Sequence, residues 1–205
     1  MGATAKQLYH GRNASRAGWP AAGGPLFGGG YQSMFFAAER MVPAPFPGQN
    51  NPPQVVTFAP LGTNAWFCRA VKMPVGSLGG SWLQWCWDIP AYVDTTVAPY
   101  YQVSLATDVA GVAPNDNTQV HIHWTCQNDG TAFVGGGPGT VFDKVVGAAG
   151  FYLTPELQVP VTGPGAYTPG GLANMNLYRA GPWALGDSFP NALYILGCHI
   201  RFKVN

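Results

Sequence analysis

The feature that most constrains the fold of this chain is a series of short apolar runs that begins near residue 54, each ended by Gly, Pro, Asn or Asp. Val, Ile, Tyr, Phe and Trp favour strands, and the residues that end the runs are typical of tight turns. The spacing predicts strands near residues 54–59, 65–72, 82–87, 100–107, 119–126, 151–159, 173–179 and 192–204, with a weaker candidate near 140–146. Because no segment between them has the pattern of a crossover helix, the strands are expected to be antiparallel.

Alternation within the runs predicts two sheets packed face to face. The run at 119–126 alternates apolar and polar residues throughout, and the last run alternates in the same way from Ala192 to Val204. One apolar face per strand is typical of sheets that cover each other. The predicted fold class is therefore all-β, an antiparallel β-sandwich of jelly-roll type over residues 54–205, preceded by an extended N-terminal arm.

The run WLQWCWDIP differs because large apolar side chains occupy both of its faces. Trp82 and Cys86 fall on one face, and Leu83, Trp85 and Trp87 fall on the other. A strand with this pattern is expected to be covered on both sides, here by a subunit interface or by the arm.

The predicted arm, residues 1–53, contains repeated Pro and Gly, which disfavour long helices and central strands. Apolar residues at helical spacing predict one short helix over 34–42, capped by Ser33 and stopped at Pro43. Since the arm is strongly apolar, we expect it to pack on a neighbouring subunit or back along its own body.

The balance of charge narrows the classes of partner. The formal net charge is +1 and charged residues make up 9% of the chain, so no overall attraction to nucleic acid or to an anionic membrane is expected. No apolar run reaches the roughly 18 residues of a membrane span, and the N-terminal residues lack a signal-peptide core. We expect a product that stays soluble in the compartment where it is made.

His121 and His123 are the candidates for metal ligands, because residues two apart on a strand project side by side and can reach one ion. Two ligands do not complete a site. No glutamate occurs in the few residues directly after them, so Asp129 or the distant His199 would have to contribute. The alternative, which we favour, is a pair of surface or interface histidines that form hydrogen bonds across strands.

Other catalytic patterns are missing from the sequence. There is no G-x-S-x-G elbow, and most acids lie in turn-like contexts. The two glycine-rich segments, FGGGY at 27–31 and GGGPGT at 135–140, lack the strand-to-helix setting of a phosphate cradle. We therefore expect a non-enzymatic protein without a cofactor. The four cysteines lie far apart in apolar runs and are interpreted as buried free thiols: Cys68, Cys86, Cys126 and Cys198.

Two segments, VHIHWTCQNDG at 120–130 and the C-terminal residues 174–205, resemble tailed-phage virion proteins. In that group an HIHW-like strand precedes a glycine-rich loop, an LYR strand, a turn with an aspartate and a long closing strand. Here Leu177, Tyr178 and Arg179 match the LYR element, and Asp187 matches the turn acid. An acid usually follows the arginine in that group, whereas this chain continues with Ala-Gly.

The resemblance implies a structural component of the phage particle, of the capsid-decoration, head-fibre or tail-fibre type, made in the host cytoplasm and assembled onto the virion. We expect a homo-oligomer, a trimer by its architecture, bound to the major capsid protein or to a tail or portal component. The arm would supply the tether through aromatic and basic side chains: Arg12, Arg16, Trp19, Phe27, Phe35, Phe36 and Phe46.

The alternative hypothesis is a receptor- or glycan-binding domain of a phage fibre. It would use aromatic side chains in loops at the edge of the sandwich, namely Trp183 together with Tyr92, Tyr100 and Tyr101.

Overall fold

The computed structural model describes residues 30–44, 53–58, 68–74, 81–108, 116–130, 140–159, 167–179 and 187–205. Its strands are β1 (Tyr31–Ala37), β2 (Val42–Ala44), β3 (Gln54–Phe58), β4 (Cys68–Met73), β5 (Ser81–Asp88), β6 (Tyr100–Thr107), β7 (Asn117–Gln127), β8 (Thr140–Val145), β9 (Gly150–Leu153), β10 (Leu157–Gln158), β11 (Leu172–Arg179) and β12 (Leu193–Lys203). A single 3₁₀ turn, Ala38–Arg40, is the helical element of these residues. Within the described ranges no helix is long and apolar enough to cross a membrane.

The strands form two antiparallel sheets. Sheet A has seven strands in the order β10-β6-β12-β4-β3, with β1 also paired to β12 and β9 to β6, and sheet B has five in the order β2-β5-β11-β7-β8. From β4 onward the pairing is nested: β4 with β12, β5 with β11, β6 with both β9 and β10, and β7 with β8. This nested order is the jelly-roll wrapping. The predicted fold class, an all-β antiparallel sandwich of jelly-roll type, is confirmed.

The core lies between the two sheets, and strand alternation decides which side chains fill it. On β11 every second residue is buried, from Ala173 to Arg179. Sheet B contributes Leu83, Trp85 and Trp87 of β5, as the alternation predicted. Burial of such large apolar side chains, at about 1.5–3 kcal/mol each, is the main stabilising contribution to a sandwich of this kind.

The predicted helix over 34–42 is wrong. Residues Tyr31–Ala37 form β1, which pairs along its whole length with β12, and the 3₁₀ turn after it has no side-chain cap. A helix of this length is marginal on its own, so pairing with a long neighbouring strand outweighs the helical spacing of its apolar residues.

The predicted boundary between an arm and a body at residue 53 also shifts. β1 extends sheet A along the edge of β12 that β4 leaves open, and β2 is the edge strand of sheet B beside β5. Residues 31–44 therefore belong to both sheets of the sandwich, because each strand gains a backbone partner there. The earlier part of the predicted arm, residues 1–29, lies outside the described residues.

The single strand expected at 151–159 is two strands, β9 and β10, that pair with successive parts of β6. Pro155 lies at the break and cannot donate a ladder hydrogen bond. Thr154 bridges the gap, since the amide of Val103 donates to its hydroxyl at 2.9 Å.

A glycine fixes how closely β1 packs on β12. The Phe35 ring lies over Gly197, and a Cβ placed on that glycine would overlap the ring and come within 2.5 Å of the Phe36 carbonyl oxygen. Phe35 also packs on His199, with ring centroids 4.5 Å apart. Gly197 therefore leaves the space that the aromatic ring fills.

Candidate functional site

The outer face of sheet B carries a row of three rings on three neighbouring strands. Because side chains alternate along a strand, the residues between the buried ones on β5, β11 and β7 share this face. The register places Tyr178 of β11 between Trp82 of β5 and His121 of β7. The Tyr178 and Trp82 centroids are 4.3 Å apart with an interplanar angle of 20°, and Tyr178 and His121 are 4.7 Å apart at 18°.

These separations match the spacing of neighbouring strands, so the rings stack side by side along the sheet and present their edges outward. His123 Nε2 and the Tyr178 hydroxyl are joined by a hydrogen bond of 2.9 Å. Burial raises the pKa of Tyr178, so the hydroxyl remains protonated at neutral pH.

A second row of polar side chains lies one step along the same strands. Asn176 of β11 is flanked by Gln84 and His123 in the register, and the next residue on this face of β11, Asn174, lies opposite Cys86. The Cys86 thiol donates to Asn174 Oδ1 at 3.8 Å. We call the two rows together the ring-and-amide face. It consists of Trp82, Gln84, Cys86, Asn174, Asn176, Tyr178, His121 and His123.

Two polar atoms of the ring-and-amide face have no hydrogen-bond partner among the described residues. They are Nε2 of His121 and Oδ1 of Asn176, and both are buried. A buried polar atom without a partner costs about 1–3 kcal/mol.

The charges around this face are acidic. Asp143 on β8 accepts hydrogen bonds from the side-chain amides of Gln119, at 2.7 Å, and Asn117, at 2.9 Å. Asp88 is exposed at the end of β5. Among the described residues, no Lys or Arg lies on the outer face of sheet B.

His121 differs electrostatically from an exposed histidine. Burial lowers its pKa, and the neighbouring His123 lowers it further, against smaller opposite effects of Asp143 and Asp187. His121 therefore stays neutral to a lower pH than an ordinary histidine does.

The two histidines singled out from the sequence lie together on β7, but the structure gives them aromatic neighbours. His199, considered as a further ligand, lies on β12 in sheet A, where its Nε2 is 3.0 Å from the Ser104 hydroxyl oxygen. Asp129 lies in the turn after β7 and is exposed. No group of three or more His, Cys, Asp or Glu side chains in the described part of the chain could hold a metal ion.

The aromatic residues assigned to a tether divide into two groups. Phe35 packs on Gly197 and His199, and Phe36 packs against the core with its ring 6.4 Å from Trp85, so both make intramolecular contacts. The other tether residues, Arg12, Arg16, Trp19, Phe27 and Phe46, lie outside the described residues.

The tyrosines named for the alternative glycan site do not form one surface. Tyr101 is 0% exposed and belongs to the core, so the expectation that it contacts a ligand is wrong. Tyr100 packs on the Arg201 guanidinium at 4.5 Å, which also lies 4.7 Å from the Tyr31 ring. Tyr92 is 51% exposed, and Trp183 lies outside the described residues.

Arg179 is paired with Asp187, the turn acid, although no acid directly follows it in the chain. Its Nε and Nη2 donate to the Asp187 carboxylate at 2.8 and 2.9 Å, and its Nη1 donates to the Asn191 carbonyl at 2.6 Å. The residues are 1% and 3% exposed. The pair fixes the turn before β12 to the end of β11.

The cysteine prediction holds for two residues and is wrong for two. Cys126 and Cys198 are buried free thiols, whereas Cys68 and Cys86 are free but exposed. Both exposed thiols lie on outward-facing positions of their strands, where an apolar neighbour in the sequence does not imply burial.

Sequence reasoning found the histidines of the ring-and-amide face but missed its amides. The signal was present in LANMNLYR, where Asn174, Asn176 and Tyr178 alternate with buried residues. The cover predicted for this face of β5, a subunit interface or the arm, stays a prediction; among the described residues Trp82 stacks on Tyr178 of the same sheet.

No family model matches the sequence, and no curated protein matches it significantly. Two solved structures are similar in fold. One is the CBM36-1 domain of a multidomain xylanase from the hindgut metagenome of Trinervitermes trinervoides, at 12% identity and a TM-score of 0.44, covering 82% of this chain and 96% of that one. The other is a Podospora anserina GH26-CBM35 β-(1,4)-mannanase, at 12% identity and a TM-score of 0.43, covering 84% of this chain and 28% of that one.

Proposed function

We propose that this jelly roll is a saccharide-binding domain and that the ring-and-amide face is its binding surface. The observation that carries the proposal is the row Trp82–Tyr178–His121 beside the row Gln84–Asn176–His123 on adjacent strands of one sheet. Saccharides combine apolar C–H groups with hydroxyls that both donate and accept hydrogen bonds. The outward ring edges offer apolar contact to the first, and the amides and imidazoles form hydrogen bonds with the second.

The position of these residues supports binding over a purely structural role. They lie on the side of sheet B opposite the core, and the central strand β11 holds the middle of both rows between β5 and β7. Side chains on paired strands are held in place before a ligand arrives, which lowers the entropy cost of binding.

The test is a glycan array probed with the full chain and with Trp82→Ala and Asn176→Ala. Both variants should lose at least about tenfold in affinity, the equivalent of about 1.4 kcal/mol. Tyr92→Ala is the matched control, because Tyr92 is an exposed tyrosine outside the ring-and-amide face. If the Trp82 and Asn176 variants bind as the native chain does and the Tyr92 variant does not, the site lies elsewhere. A native chain that binds no glycan would refute the proposal.

A second candidate function is that of a structural subunit of a tailed-phage particle, and the Arg179–Asp187 pair favours it. The LYR arginine and the turn acid are the landmarks of the resemblance to virion proteins, and here they form one buried ion pair. Under this proposal the chain is a homotrimer, its N-terminal residues tether it to the major capsid protein or to a tail or portal component, and a saccharide-binding face would contact the host surface.

Mass spectrometry of gradient-purified particles from the host that carries this gene should detect the chain. Its absence from particles, with the protein present in the lysate, would contradict the virion proposal. Light scattering should give a trimer for the full chain and for a chain that begins at Gly30, which retains β1 and β2. A monomer in both cases would rule out the trimer.

A further inference from the structure

We infer that the ring-and-amide face takes uncharged saccharides and discriminates against anionic ones, such as sialylated, sulfated or uronic-acid glycans. The inference rests on the proposed function and adds the class of ligand. It follows from where the charged residues of the described part of the chain lie.

Among the residues that the structure describes, the outer face of sheet B presents carboxylates and no lysine or arginine. Asp143 on β8 and Asp88 at the end of β5 are both exposed. Asp143 is held in position by the amides of Gln119 and Asn117, so its charge is fixed next to the strand that carries the two histidines.

The cations of the described residues are placed elsewhere. Arg69 and Lys72 lie on β4, and Arg201 and Lys203 lie on β12, all in sheet A. Lys144 is on the β8 edge, where its Nζ lies 5.9 Å from the centroid of the Tyr152 ring.

The remaining two cations are not part of this face. Arg179 is neutralised in its buried pair with Asp187, and Arg40 lies in the 3₁₀ turn that precedes β2. No arginine or lysine among the described residues belongs to the ring-and-amide face.

The undescribed segments between residues 45 and 186 leave this charge balance unchanged. They are 45–52, 59–67, 75–80, 109–115, 131–139, 160–166 and 180–186, and their sequences contain no Asp, Glu, Lys or Arg. Any of these segments that contacts a ligand can therefore add apolar or neutral polar groups only. Among the undescribed residues, charged side chains occur only in 1–29.

An anionic group bound near His121 lies close to Asp143, and one bound near Cys86 lies close to Asp88, and charges act over about 8 Å at physiological ionic strength. Like charges placed against each other suppress the wrong partner, and neutral amides cannot compensate for them. A neutral saccharide meets the same hydrogen-bonding groups without the repulsion.

The test measures the affinity of the full chain at pH 7 for matched pairs of glycans. Each pair consists of a neutral glycan and its counterpart with a terminal sialic acid or a sulfate ester. The anionic member should bind about tenfold more weakly or worse. Asp88→Asn/Asp143→Asn should raise affinity for the anionic members. The control Glu39→Gln/Asp108→Asn removes the same charge from positions outside sheet B and should leave the ratio as in the native chain.

Three results would count against the inference, and they are distinguishable. Anionic glycans that bind as tightly as neutral ones would overturn it and leave the proposed function standing. An equal change of ratio in both double variants would show that net charge, rather than the face, sets the selectivity. No binding to any glycan would remove the proposed function itself.

Discussion

Replacing Asp187 with alanine should destabilise the protein more than any change to an exposed ion pair. The Asp187 carboxylate accepts two hydrogen bonds from Arg179. It also accepts hydrogen bonds from the Thr118 hydroxyl and from the backbone N–H groups of Gln119 and Phe189. Its removal leaves a guanidinium that is 1% exposed with backbone carbonyls as its remaining described partners. Breaking a buried pair in this way costs about 3–5 kcal/mol.

That loss is a large fraction of the 5–15 kcal/mol typical of a whole domain. For a chain of this size it corresponds to a fall in Tm of about 6–20 °C, at roughly 2–4 °C per kcal/mol. The assay is urea unfolding followed by tryptophan fluorescence, with Tm from calorimetry as a second reading. Replacing both partners with apolar residues, Arg179→Met and Asp187→Leu, should recover much of the lost stability, because no unpaired charge then remains in the core.

The matched control is Glu156→Gln. Glu156 accepts two hydrogen bonds from Arg201, at 2.7 and 2.6 Å, in the same two-point geometry, but this pair lies at the surface. Its loss should cost about 1 kcal/mol or less. If Asp187→Ala costs no more than Glu156→Gln, the reasoning from burial is wrong.

Three further predictions follow from the packing and the pKa shifts. Gly197→Ala should lower the free energy of unfolding in urea by about 1–3 kcal/mol or more, because the new methyl group displaces a ring. The control Gly150→Ala, whose Cβ would meet its nearest neighbour at 3.9 Å, should be nearly neutral, and equal effects of the two changes would contradict the packing. Because folding lowers the pKa of His121 below its ordinary 6.5, stability should be full above that pH and fall as pH drops below it. His121→Gln should reduce the difference in the free energy of unfolding between pH 7 and pH 5, and an unchanged difference would contradict this. A thiol reagent should label Cys68 and Cys86 in the native protein and all four cysteines only after unfolding, as mass spectrometry would show; labelling of the other two in the native state would contradict their burial.

Only part of the candidate site could be predicted from the sequence. Alternation in the sequence places Asn174 and Asn176 on the face of β11 opposite Met175, and it places His121 and His123 together on β7. It does not say that β11 lies between β5 and β7. The ring-and-amide face therefore could be predicted one strand at a time but not as a surface.

Most strand positions from β3 onward, the apolar face of each strand and the sandwich class could be predicted from the sequence, because the two-residue period of a strand is a local property that a packed core must respect. The division of the predicted strand at 151–159 into β9 and β10 could not. Tertiary structure decided that Tyr31–Ala37 is a strand, since that choice depends on an open edge of β12 far along the chain. It also brought Trp82, Tyr178 and His121 into one stack, and Arg179 to Asp187. Pairing between distant strands is set by the total free energy of the packed sheets, and no local pattern of residues encodes it.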